Sequence, residues 1–131
     1  MGIFNTLFGN DQPKKENTSG GAFPWVALND TAKLDLLKER SHETPQLIFK
    51  HSTTCGISRM VLNMFTGSFD VSQKVDLHLL DLLSHRDVSN AVASSLGVFH
   101  ESPQLLIVKN GEVVFHTSHG AIADADLSPF L

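Results

Sequence analysis

The sequence is short of sulfur nucleophiles. One cysteine, Cys55, stands in 131 residues, which excludes an internal disulfide, a CxxC dithiol and a thiolate-rich structural zinc site. Long apolar runs are missing too. None approaches the ~20 residues that a membrane span needs, so stable membrane insertion is not expected. Basic clusters are absent and the net charge is −4, which speaks against a nucleic-acid partner. There are no internal repeats, no glycine-rich phosphate loop, no HExxH pair among the seven histidines and no nucleophile elbow for a serine hydrolase. No metal site is expected. Apolar content of 41% suits one globular domain large enough for a core of its own.

The lone thiol lies in an informative place. Leu47-Ile48-Phe49 is a short apolar run, and Ile57, Met60, Val61, Met64 and Phe65 follow at helical spacing. The stretch reads as strand, tight turn and helix, with Cys55 where the helix begins. Unpaired N–H groups and the positive end of the helix dipole favour a thiolate there, and the thiolate is the nucleophile. Between Glu43 and Asp70 there is no acidic residue. Lys50 and Arg59 are the charges in that interval and His51 can protonate, so all three are candidates for supporting the thiolate or a substrate. Ser58 stands where a dithiol protein would carry its second cysteine; its hydroxyl can bond a thiolate but cannot resolve a mixed disulfide. A lone, reactive thiol is most at home in a reducing cytoplasm, the expected location.

Residues 1–22 divide from the rest. Met1 to Phe8 is a short apolar segment without the charged start of a secretory signal. Asn10 to Ala22 is small and polar and reads as a flexible linker. Residues 23–131 form the domain. An edge strand is expected over Phe23 to Leu28, then a helix capped by Asn29 or Asp30 with Leu34, Leu36 and Leu37 on its apolar side. Gln46 to His51 is a buried strand, and the Cys55 helix ends near Gly67. Val75 to Leu83 has the pattern of a strand buried on both faces. Asp87 to Leu96 is a helix with Gly97 as its stop. Gln104 to Lys109 and Glu112 to His116 make a hairpin through Asn110-Gly111, a type I′ turn. One short helix closes the tail. The order β-α-β-α-β-α-β-β-α gives an α/β fold, a mixed central sheet with helices on both faces, the thioredoxin-like arrangement. In such folds the residue before a cis-proline lies beside the active cysteine, which singles out Ser102 and Pro103. His51 and His100 can also approach Cys55.

Several blocks carry a family resemblance: residues 50–58, Arg86-Asp87-Val88-Ser89-Asn90, His100-Glu101-Ser102-Pro103-Gln104, Asn110-Gly111-Glu112 and Ser118-His119. Together they resemble the YtxJ family, the monothiol bacilliredoxins, over about Phe23 to Ile122. Members often carry Pro where Gly56 stands. The resemblance implies a thiol-disulfide oxidoreductase that strips bacillithiol from protein mixed disulfides. It makes Cys55 the catalytic nucleophile, with Thr54, Gly56, Ser58, Ser102 and Pro103 at the substrate. Lys50, His51, Arg59 and His100 are in support. No cofactor is implied beyond bacillithiol as thiol co-substrate. The implied partners are bacillithiolated proteins, a low-molecular-weight thiol and a partner reductase. The competing resemblance is to monothiol glutaredoxins, whose CGFS differs from Cys55-Gly56-Ile57-Ser58 by one residue and which bind iron–sulfur clusters. Their glutathione signatures are missing.

Overall fold

A computed structural model describes residues 23–131; the expected apolar segment and linker of residues 1–22 lie outside the described residues. The elements follow in the expected order: β1 (Val26–Ala27), α1 (Thr31–Arg40), β2 (Gln46–His51), α2 (Gly56–Ser68), β3 (Asp76–Asp81), α3 (Arg86–Leu96), β4 (Gln104–Lys109), β5 (Glu112–Ser118) and α4 (Ala121–Asp124), with a 3-10 turn over Ser128–Phe130. The five strands lie in the order β1-β3-β2-β4-β5. β3 runs parallel to both β1 and β2, while β4 runs antiparallel to β2 and to β5.

β2 is the centre, buried at every position. Successive strand residues point to opposite faces, and this alternation divides the core in two. Ile48 packs with Leu34, Leu37, Leu80, Val88, Val92 and Leu106 beneath α1 and α3. Leu47 and Phe49 pack with Val61, Phe65, Leu105, Ile107 and Ile122 beneath α2 and α4. Phe23 and Trp25 complete the second cluster through an aromatic stack on Phe65 and Phe69. Among the described residues no helix is long and apolar enough to cross a membrane.

Local chemistry sets the element ends. Asp30 caps α1 by accepting the Ala32 N–H at 2.7 Å, satisfying one of the helix's unpaired donors. Gly97 ends α3 in the left-handed conformation at φ 71°, which glycine adopts without a Cβ clash. Asn110 and Gly111 both take positive φ, 54° and 78°, as the type I′ hairpin requires. The Ser41 hydroxyl then accepts the Gly111 N–H at 2.8 Å and pins this turn to the end of α1.

Three details differ from the sequence reading. The first strand is two residues long: Val26 and Ala27 pair with β3, and Leu28 adds one hydrogen bond to the Leu79 carbonyl at 3.0 Å. Leu36 is 64% exposed, since Leu34 and Leu37 already fill the narrow strip of α1 that faces the sheet. The third strand stops at Asp81, and Leu83 lies exposed in the turn beyond it.

Candidate functional site

Cys55 is the N-cap of α2, with extended backbone at φ −102° and ψ 120°. Its N–H donates to the Ser52 carbonyl at 3.2 Å, closing the turn from β2, and its carbonyl accepts the Arg59 N–H at 3.1 Å, the first bond of the helix. The side chain makes no capping hydrogen bond and the thiol is free and half-buried. The first N–H groups of α2 are therefore left without a side-chain acceptor from Cys55.

Ser58 lies under the turn rather than in the substrate's path. It is completely buried. Its Oγ accepts the Ser52 N–H at 3.0 Å and lies 2.8 Å from His51 Nδ1. With both contacts made, the hydroxyl is committed to the turn. Its burial leaves it no exposed surface. His51 follows Lys50 in β2 and faces the α2 side. Burial holds its pKa below the ordinary histidine value; Asp81 opposes that shift and Arg59 adds to it. Asp81, at the end of β3, thus supplies the acid missing from the Glu43–Asp70 interval.

Lys50 lies on the other face of the same strand. It belongs to the α3 face of β2, away from α2, and is completely buried. Its Nζ donates to the Ser89 carbonyl at 3.3 Å and lies 3.2 Å from His100 Nδ1. Burial brings its pKa down to about 8. It is not a solvated charge beside the sulfur. Thr54, Gly56 and Arg59 lie exposed around Cys55. So do Ile57 and Met60, 59% and 55% exposed, which leave an apolar collar on the first turn of α2.

The second half of the site comes from β4. Lys50 pairs with Gln104 in the β2–β4 register, which sets Pro103 next to the β2 end that leads into Cys55. The Ser102-Pro103 bond is cis. Contacts at four positions hold this loop. Buried Gln104 donates to the Phe99 carbonyl at 2.9 Å and accepts the Glu101 N–H at 3.4 Å. Pro103 accepts the His119 N–H at 2.9 Å. Glu101 binds the Ser118 hydroxyl at 2.7 Å and His119 Nε2 at 2.9 Å. Those two partners hold its carboxyl below the usual carboxylate range, the Ser118 bond first. The fourth contact is that of His100 with Lys50. Glu101, Gln104, Ser118 and His119 were not singled out as site residues from the sequence, because their roles depend on the β4–β5 pairing. Among the described residues no group of three His, Cys, Asp or Glu side chains converges as a metal ion would require.

A single thiol thus stands at a strand-to-helix turn, beside the Ser102-Pro103 loop that precedes the neighbouring strand. The family described as monothiol bacilliredoxin BrxC matches residues 26–127. The chain belongs to the monothiol bacilliredoxin family. It is a thiol-disulfide oxidoreductase of thioredoxin fold. Among solved structures, a protein designated an oxidoreductase with a thioredoxin fold is 29% identical at a TM-score of 0.71, covering 81% of this chain and 92% of that one. Thioredoxin from Trypanosoma brucei brucei is 10% identical at a TM-score of 0.63, covering 82% and 90%. Thioredoxin from Schistosoma mansoni is 17% identical at 0.62, covering 82% and 95%. These last two share the fold alone.

Proposed function

We propose that this bacilliredoxin removes bacillithiol from proteins in the cytoplasm. The Cys55 thiolate attacks the bacillithiol sulfur of a protein–S–S–bacillithiol mixed disulfide. That disulfide breaks, a Cys55–S–S–bacillithiol bond forms, and the target cysteine leaves with the electron pair as a thiolate. A second bacillithiol thiolate or a partner reductase then attacks the Cys55 adduct and restores the thiol. Exchange of this kind needs a thiolate, an accessible sulfur and a good leaving group, and no separate acid–base pair.

The observation that supports the reading is the single thiol at the start of α2. Cys55 is the one cysteine of the sequence and a serine stands in the resolving position, so resolution falls to a thiol from outside. Exposed Thr54 and Gly56 and the Ser102-Pro103 loop leave Cys55 open to the mixed disulfide.

The test mixes the protein with a bacillithiolated target and follows intact masses. The expected result is loss of bacillithiol from the target and its appearance on Cys55. A Cys55→Ser variant that still strips the target would falsify the mechanism. Cluster absorbance on reconstitution with iron, sulfide and bacillithiol, without exchange, would favour the iron–sulfur alternative.

A further inference from the structure

Lys50 has no task in the exchange chemistry and is costly where it stands. It is completely buried in the central strand, directly after Leu47-Ile48-Phe49. Among the described residues no carboxylate pairs with it. Its contacts are the Ser89 carbonyl and His100 Nδ1. An ammonium placed in a core without a counter-charge is strongly disfavoured. A methionine would continue the apolar run, so packing does not call for a lysine.

The lysine bears on the tautomer of its neighbour. An ammonium only donates, so His100 Nδ1 must accept, and the neutral ring then carries its proton on Nε2. The Ser89 hydroxyl, 3.3 Å from the same Nδ1, can donate to it as well. Burial, Lys50 and Arg86 all oppose a charge on His100, while Glu101 in the same loop favours one; Glu101 is itself held by Ser118 and His119. With Nδ1 directed at the buried ammonium, Nε2–H points away from it across the ring. His100 is exposed and stands two residues before Ser102 in the clamped loop.

We propose that Lys50 is a positioning residue that presents His100 Nε2–H as a fixed donor to a carboxylate of the low-molecular-weight thiol in the mixed disulfide. This rests on the substrate reading above. Ser102 and Pro103 would align the disulfide, and His100 would discriminate what is attached to it.

Two measurements test the proposal. The first is ring nitrogen NMR of His100, expected to give the Nε2–H tautomer in the wild type and a mixture of tautomers in Lys50→Met. The second compares exchange on one target protein carrying either bacillithiol or uncharged 2-mercaptoethanol. The ratio of the two rates should fall about tenfold in both Lys50→Met and His100→Ala, the size expected for one hydrogen bond to a charged group. An Nδ1–H tautomer in the wild type overturns the proposal, as does an unchanged ratio in folded Lys50→Met. Wild-type protein that strips 2-mercaptoethanol but not bacillithiol overturns the substrate reading, and the proposal with it. That failure is recognisable because it arises without any substitution.

Discussion

Ser58 Oγ and His51 Nδ1 lie 2.8 Å apart, joining the first turn of α2 to the last residue of β2 beneath the cysteine-bearing turn. The same hydroxyl holds the Ser52 N–H. One buried oxygen therefore fixes both ends of the segment that presents Cys55.

Removing that oxygen should loosen the turn. Ser58→Ala leaves a buried N–H and a largely buried imidazole nitrogen without their partner, and an unsatisfied buried group costs about 1–3 kcal/mol. A drop of that size in urea unfolding at pH 7 is expected. Unchanged stability would mean that the Ser58 bonds do not hold the turn.

Gly56 offers the opposite case. It is the first residue of α2, and a Cβ built on it meets nothing within 4 Å. Gly56→Ala keeps the backbone N–H and narrows the unfolded ensemble, which stabilises by about 0.4–1 kcal/mol at compatible positions. Thermal melting should move up by a few degrees. A fall would show that the turn before α2 needs glycine's freedom.

Acid sensitivity is expected at the far end of the sheet. Gln46 is completely buried. Its amide nitrogen donates to the Thr44 carbonyl at 2.9 Å and to Asp76 at 2.7 Å, so its oxygen accepts from His78 Nε2 at 2.7 Å. Burial lowers the His78 pKa to about 4, against the opposing pull of Asp76. Between pH 6.5 and about 4 the unfolded chain therefore binds the proton that the folded one refuses. Stability falls as pH drops through that window, by up to about 3 kcal/mol from this residue alone. His51 and His100, also shifted downward, act in the same sense. Unfolding of His78→Gln across pH 7 to 4 should show a slope shallower by one proton; an unchanged slope would contradict this account.

Much of this arrangement was legible before the structure. The helix caps at Asp30 and Gly97, the Asn110-Gly111 turn and the strand before Cys55 each depend on a few adjacent residues, and local chemistry decides them. Lys50 and His51 show what strand alternation decides. Once residues 46–51 are a strand, neighbours must point to opposite faces, so the two lie on opposite sides of the sheet. Ser58, by contrast, had no local sign of its partner. Its bonds depend on how the turn folds back across seven positions. The His78–Gln46–Asp76 chain spans thirty-two, and no periodicity encodes such a pairing. Leu36 looked apolar enough for the core, but α1 has room for only two leucines against the sheet.

The strand order has a consequence for synthesis. β2 is central, yet its neighbours arrive late: β3 begins at Asp76, and β4 begins at Gln104, after Ser102-Pro103. A nascent chain that has left the ribosome as far as Gly97 already displays Cys55, while Leu47, Ile48 and Phe49 still lack the strand that covers their second edge. The thiol is made well before its loop, so synthesis must pass Pro103 before the cysteine has a site around it.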